Sequence, residues 1–252
     1  MNVVRIARRF SAAYDTYQNN AIAQKVAAKR LMSALVGLRP PTQTHFAQVL
    51  EIGCGSGGLT EQLLQYYVPD LLYLNDLYDK ITQNRLLIPA DAYRFLLGDI
   101  GKISLPTGLD LVLSGSVLQW IYPLDELFAK IHQSLAMGGV LAFSTFGKNN
   151  LWQLKRLTNR GLVYYSLDEI VERLIQSGFC MEYHAVYQQT LHFDNAMAVL
   201  RHLQATGVTA TDSDFHWSKE SLSRFCQAYQ SYADDEGLPL TYEPMILIAK
   251  KL

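Results

Sequence analysis

Three acids and a run of glycines carry the chemistry that this sequence can support. Residues 49–60 read Val-Leu-Glu-Ile-Gly-Cys-Gly-Ser-Gly-Gly-Leu-Thr: an apolar run, a glycine-dense turn, then a helical pattern through Leu59, Leu63 and Leu64. Glycines at such a turn let the backbone approach a ligand where a side chain would block it. Read as Gly53-x-Gly55-x-x-Gly58, the turn fits a dinucleotide fingerprint. Read as Glu51-x-Gly53-x-Gly55-x-Gly57, it places an acid at a strand end, which would repel a pyrophosphate and attract an ammonium. A tight turn with no ligand is the third reading. Asp76 lies eighteen residues after Gly58. A carboxylate there can accept both hydroxyls of a ribose, or simply cap a helix. Asp99 follows Gly98; it can accept from an adenine amino group, with the Ile100 N–H facing a ring nitrogen, or close a turn. Three acids on three successive strand ends argue for one shared site. No phosphate-binding lysine follows the loop, which disfavours a P-loop nucleotidase.

The elements must hold those acids on one ledge. Apolar runs at 47–52, 71–75, 93–97, 109–114 and 140–146 read as strands, with helical patterns at 59–67, 79–87 and 123–135 between them. Met137-Gly138-Gly139 reads as the turn into the fifth strand. This alternation predicts an α/β fold, a mainly parallel sheet with helices on both faces and the strand ends on one edge. Ahead of it, residues 1–20 are mixed, with Phe10, Tyr14 and Tyr17 among polar residues. An amphipathic helix over 21–38 follows, with Ile22, Val26, Leu31 and Leu35 on one face, and Arg39-Pro40-Pro41 ends it. After Phe146 the rhythm changes. A capping box at Ser166 and Glu169 opens a helix to about 176. A strand over 181–190, helices over 195–205 and 218–232, and a last strand over 241–250 predict a C-terminal antiparallel strand pair around a helical insertion. A dinucleotide domain would repeat β-α there instead. The chain is read as a single domain: residues 1–46 a helical lid, 47–146 the ligand-binding core, 147–252 the substrate-side helices and terminal strands.

With 252 residues and a formal net charge of −1, no global field steers an acidic partner, and no nucleic-acid module is evident. Cys54, Cys180 and Cys226 form no paired framework, which points to a reducing compartment. The histidines show no metal-ligand spacing. No run approaches the roughly 18 apolar residues of a membrane span. A cytoplasmic protein without a metal is expected.

The motif Glu51-x-Gly53-x-Gly55-x-Gly57, Asp76, Gly98-Asp99 and Met137-Gly138-Gly139 together resemble class I S-adenosylmethionine (SAM)-dependent methyltransferases, a Rossmann-like fold. The resemblance narrows at Phe10-Ser11 with Tyr17 and Gln24, at Ser114-Gly115-Ser116-Val117-Leu118-Gln119-Trp120, at Ala142-Phe143-Ser144-Thr145-Phe146-Gly147, at residues 200–207 and at Leu240-Thr241-Tyr242. There the chain is similar, over nearly its whole length, to the malonyl-(acyl-carrier protein) O-methyltransferases of biotin synthesis. Leu118-Gln119-Trp120 alone also resembles trans-aconitate methyltransferases. Departures fall at Gln18, Ala136-Met137, Lys148, Gln153 and Gln204.

The resemblance implies transfer of the methyl of SAM to the free carboxylate of a malonyl thioester, leaving S-adenosylhomocysteine. It implies Glu51, Gly53, Gly55, Gly57, Asp76, Leu77, Asp99, Ile100 and Ser114 as the cofactor-binding residues. A carboxyl of reference pKa about 4 is already ionised at pH 7, so no indispensable acid–base residue is expected, and proximity and water exclusion would do the work. Tyr17, Gln119, Trp120 and Phe146 are the candidates to bind substrate, each with packing as its plainer role. The partner would be an acidic acyl-carrier protein bearing malonate, or malonyl-CoA. Lys148, Lys155, Arg156 and Arg160 would dock it, with Arg156 and Arg160 on one helix face, or else Arg5, Arg8 and Arg9 would. The rivals are a methyltransferase of a free small acid such as trans-aconitate, a SAM-binding partner protein without turnover and, more distantly, a nicotinamide oxidoreductase.

Overall fold

Alternating apolar residues build a sheet with two buried faces. The computed structural model describes residues 3–83, 88–208 and 217–252, apart from the side chains of Ala13, Asp15 and Gln18. Its core runs β1 (Gln48–Ile52), α3 (Gly58–Leu64), β2 (Leu71–Asp76), a 3-10 turn (Asp79–Gln83), β3 (Tyr93–Leu97), β4 (Leu109–Gly115), α4 (Leu124–Ser134) and β5 (Leu135–Phe146), preceded by α1 (Val3–Asn20) and α2 (Ile22–Leu38). Beyond β5 lie α5 (Trp152–Thr158), α6 (Leu167–Gln176), β6 (Phe179–Val186), β7 (Gln189–Phe193), α7 (Ala196–Ala205), α8 (Lys219–Tyr229), β8 (Leu238–Tyr242) and β9 (Pro244–Lys251). Among the described residues, seven strands pair in the order β3-β2-β1-β4-β5-β9-β6, and β9 runs antiparallel to both neighbours. The strand period of two sorts the core. Leu111, Leu113, Val140, Ala142, Ile246 and Ile248 face α2 and α3; Val112, Leu141, Phe143, Leu247 and Ala249 face α4 and α6. The parallel order puts the ends of β1, β2, β3 and β4 on one edge.

A third apolar cluster sits apart from the sheet faces. Ile6 of α1, Val199 and Leu203 of α7, Phe225 and Tyr229 of α8, and Leu238, Leu240 and Tyr242 of β8 pack around Trp120 and Phe146. This cap covers the ledge.

Several expectations need correction. Of the mixed segment 1–20, residues 3–20 form a regular helix. Ile6, Phe10, Tyr14 and Tyr17 recur at helical spacing, but interleaved polar residues hide the stripe, and α1 is completed by packing on α7. In α2 the buried stripe is Ala23, Gln24, Ala27, Ala28, Leu31, Met32 and Leu35, whereas Ile22 is exposed. Met137-Gly138-Gly139 lies inside β5. Leu135 already pairs with Leu109, and the register shift before Leu111, with Gly138 at φ 77°, absorbs the glycines as a bulge. The expected terminal antiparallel pair is present as β6 with β9 in the main sheet; a second pair, β7 with β8, forms a separate ribbon. The chain changes sheets at Glu243, whose carboxylate accepts from Asn149 N (2.9 Å) and Asn149 Nδ2 (2.7 Å). Of the helix expected over 79–87, residues 79–83 form a 3-10 turn, and 84–87 fall outside the described residues. The capping box at Ser166 and Glu169 is present as expected. Among the described residues, no helix is long and apolar enough to cross a membrane.

Candidate active site

The ledge opens into a cavity of about 590 Å³ between the ends of β1–β4 and helices α1 and α2. Glu51, next to last in β1, is 1% exposed and accepts a 2.5 Å hydrogen bond from Thr60 Oγ1. Burial pushes its carboxyl up to about 8; the Thr60 bond works against this and the charge of Asp76 adds to it. Asp76 ends β2. Its oxygens accept from Gly55 N (2.9 Å) and Leu77 N (2.7 Å), and burial against those two bonds leaves it near 6. The glycine turn between them is needed by its geometry. Gly53 has φ 71°, and a Cβ there would come within 2.3 Å of Val117 Cγ2. Gly55 and Gly57 are also left-handed. Asp99 and Ile100 line the same wall, though Asp99 Oδ1 also accepts from Gly101 N at 3.0 Å.

Not every expected residue reaches the wall. Ser114 is fully buried below the ledge and donates to Ile52 O at 3.0 Å, tying β4 to β1; Gly115, Ser116 and Val117 form the wall in its place. Gly57 serves as the left-handed cap of α3 and is not a wall residue. Asn75 is a residue that sequence reasoning missed. Its side-chain Nδ2 donates to Leu96 O (2.8 Å) and Gly98 O (3.0 Å), and its backbone carbonyl accepts from Gly53 N and Cys54 N, so one residue joins the ledge to the glycine turn. A buried polar residue directly before Asp76 was the available signal.

The four candidate substrate residues meet at a second, smaller cavity, with room for about 20 Å³, which adjoins the first. Tyr17, Gln119, Trp120 and Phe146 all line it, and Tyr17 and Trp120 line both. Burial, helped by the charge of Asp76, raises Tyr17 far above the ordinary phenol range, so it remains a donor at neutral pH. Gln119 is fixed at both ends: Nε2 donates to Ser116 O (2.6 Å), and Oε1 accepts from Thr145 Oγ1 (3.2 Å). Phe10 meets Trp120 edge-on, with centroids 5.4 Å apart, and closes the chamber from α1.

The basic segment behaves differently from expectation. Lys148 pairs with Glu169 at 2.8 Å. Helix α5 ends at Thr158 and Asn159 turns left-handed, so Arg160 leaves the helix and shares no face with Arg156. Lys155, Arg156 and Arg160 are exposed and lie on neither cavity. Lys25 and Lys29 of α2, both exposed, line the larger cavity.

A methyltransferase-domain family model matches residues 50–143. Over 254 residues the chain is 37% identical to the malonyl-(acyl-carrier protein) O-methyltransferase of Acinetobacter baylyi, covering 100% of this chain and 98% of that one. It is 35% identical over 235 residues to the enzyme of the same name from Calditerrivibrio nitroreducens, covering 93% and 91%. Among solved structures, a SAM-dependent methyltransferase from Mesorhizobium loti superposes with a TM-score of 0.53 at 16% identity, covering 87% of this chain and 96% of that one. Phosphoethanolamine N-methyltransferase 2 of Haemonchus contortus, solved with SAM, superposes at 0.52 with 17% identity, covering 88% and 52%. These likenesses show a shared Rossmann-like methyltransferase fold.

Proposed function

The chain belongs to the malonyl-(acyl-carrier protein) O-methyltransferase family, and from that premise we infer that it methylates the free carboxylate of a malonyl thioester on an acyl-carrier protein, with SAM as donor, early in the synthesis of the pimeloyl precursor of biotin. The observation that carries the reading is the pair of carboxyls, Glu51 and Asp76, set in the cavity wall around a turn in which a Cβ at Gly53 would strike Val117.

These residues suit SAM chemically. Glu51 is buried with no cation beside it among the described residues, and its raised pKa marks a site that an ammonium would relieve. Each oxygen of Asp76 accepts one backbone N–H and keeps a lone pair for a ribose hydroxyl. Asp99, the Ile100 N–H and Leu77 border the remaining wall, where an adenine would lie. Bound SAM supplies an electrophilic methyl on a positively charged sulfur. The acceptor carboxylate is already ionised at pH 7, so the chain orients it and removes no proton. Tyr17, held protonated, donates to that carboxylate; Trp120 and Phe10 close the chamber against water.

We read residues 1–46 as the lid, 47–146 as the SAM-binding core and 147–252 as the substrate side of one catalytic domain. Carrier docking fits the rim of the larger cavity best. Lys25 and Lys29 present positive charge there to an acidic partner, whereas Lys148 is already neutralised by Glu169. The test is mass spectrometry of purified protein with SAM and, in parallel, malonyl-carrier protein, malonyl-CoA and trans-aconitate. One added methyl on the carrier-bound malonate, faster than on the other two, is the expected result. Transfer only to the free acid would keep the fold and overturn the substrate.

A further inference from the structure

The two cavities adjoin across Phe10, Tyr17, Gln24, Ser116 and Trp120, which line both. At that waist two buried polar atoms have no hydrogen-bond partner, Gln24 Oε1 and Ser116 Oγ, in side chains 9% and 7% exposed. Buried polar atoms are rarely left so, and such a pair is an opening for a ligand. Ser116 is also one of three non-glycine residues with positive φ among the described residues (58°), a strained conformation of the sort that gathers at functional sites. Its backbone is held firmly. The N–H donates to Ser144 O (2.9 Å) and Ser144 Oγ (3.1 Å), and the carbonyl accepts from Gln119 Nε2. The hydroxyl is left for an outside partner. Two other polar pairs around the smaller cavity are already engaged, Asn150 Nδ2 with Tyr164 OH and Tyr242 OH with His202 Nε2, each at 2.9 Å, whereas the Tyr17 hydroxyl also faces the chamber. Among the described residues, none lining the smaller cavity is charged.

We propose that Ser116 and Gln24 form the seat of the acceptor carboxylate. The seat rests on the functional reading above and names residues that neither the motifs nor the family resemblance assign. The Ser116 hydroxyl donates to one carboxylate oxygen. The Gln24 amide, whose oxygen and nitrogen exchange by a half-turn of the side chain, donates to the other. Both donors are neutral, so the bound carboxylate keeps its charge for the positive sulfur instead of sharing it with a lysine or arginine. Hydrogen bonds to an ionised oxygen are stronger than those to a neutral ester. The seat therefore holds the acid and lets the methylated product go.

The experiment measures, with S-adenosylhomocysteine bound, the Kd of malonyl-carrier protein and of its methyl ester for wild type, Ser116→Ala and Gln24→Leu. Each substitution should weaken the acid about tenfold, the loss of one hydrogen bond to a charged group. The ester should stay within about twofold, because bonds to a neutral oxygen contribute less. Equal weakening of acid and ester, or no weakening of either, would overturn the seat, since both would mean that the residues only shape the chamber. Ser116→Gly, which relieves the positive φ, should reproduce Ser116→Ala and so separates lost hydrogen bonding from lost folding. A wild-type protein that binds SAM yet methylates no malonyl-carrier protein would instead overturn the functional reading.

Discussion

The two halves of the site are built on opposite principles. The wall proposed for SAM is a ledge of backbone. Its acids sit at the ends of paired strands, its glycines are fixed by positive φ, and its hydrogen bonds close on themselves through Thr60, Asn75, Gly55 and Leu77. The acceptor-side chamber is a contact between side chains from distant segments, with Phe10, Trp120, Phe146, Tyr164 and Tyr242 converging from helices, loops and the small ribbon. A ledge of backbone has little room to relax. A chamber of side chains can repack, since core side chains hop between rotamers where a strand end cannot shift alone. The first suits a donor that never changes. In the proposed reaction, the second suits an acceptor that arrives on a carrier and leaves as a different species.

Two glycine substitutions would break or sharpen that contrast, and they carry the largest expected effect. Gly53→Ala puts a Cβ 2.3 Å from Val117 Cγ2 and 2.9 Å from Cγ1 at φ 71°. Strain and overpacking together cost roughly 2–5 kcal/mol. Calorimetry should find SAM binding weakened by about a hundredfold or more, since a loss of 1.4 kcal/mol is already tenfold. Gly207→Ala is the matching change in the cap. It also has positive φ (70°), but its Cβ meets the Phe10 ring, at 3.0 Å. That ring can move, so SAM affinity should hold while the KM for the carrier substrate rises. Equal loss of SAM affinity in both would show that the chamber is as unyielding as the ledge.

The same contrast explains how much of the molecule could be read from its sequence. The ledge was legible because chemistry and period coincide there. Glu51, Asp76 and Asp99 each stand within two residues of the last residue of an apolar run, and the glycines follow in one stretch. Ser114 was misjudged because β4 runs one residue further, to Gly115, and its hydroxyl turns to Ile52 O. The cap was legible only as resemblance. Its residues come from six separated segments, and no local period marks a residue whose partner lies a hundred positions away. Helix α1 hid its stripe among arginines and polar residues. Gln24 left one trace, a polar side chain within the buried stripe Ala23, Ala27, Ala28, Leu31. Whether such a residue is satisfied or open depends on its neighbours in space, which the sequence does not order.

Acidity should separate the halves next. Burial raises Glu51 to about 8, so at neutral pH it is largely protonated and must lose its proton to meet an ammonium. SAM affinity should therefore rise with pH, by about tenfold per unit below 7 and levelling off above 8, with Asp76 adding slope near 6. Glu51→Gln should be weaker by about tenfold at pH 8, the scale of a lost charged hydrogen bond, and the two curves should converge as pH falls. Parallel curves would remove Glu51 as the ammonium partner. The stability of the ligand-free protein has the opposite slope. Glu51 has a higher pKa folded than unfolded, so the folded state holds the extra proton between about 4.5 and 8. Stability from this group falls as pH rises through that window, and SAM should restore it.

The smallest effect is expected at the rim, where solvent screens every charge. Lys25→Glu with Lys29→Glu reverses the two exposed cations on the wall of the larger cavity; Arg156→Glu does the same on α5, away from both cavities. If the carrier docks over the cavity, the Lys25/Lys29 pair should raise the KM for malonyl-carrier protein about fivefold to tenfold at low salt, and less at 0.15 M, where the Debye length is about 8 Å. Free malonyl-CoA should be affected less, since it presents a few phosphates in place of an acidic protein face. Arg156→Glu should leave both substrates near wild type. The reverse ranking would move the docking face to α5 and would mean that the carrier reaches the chamber across the cap. The lysine ranking would mean that it enters along α2, with the malonyl arm passing Gln24 before it reaches Ser116.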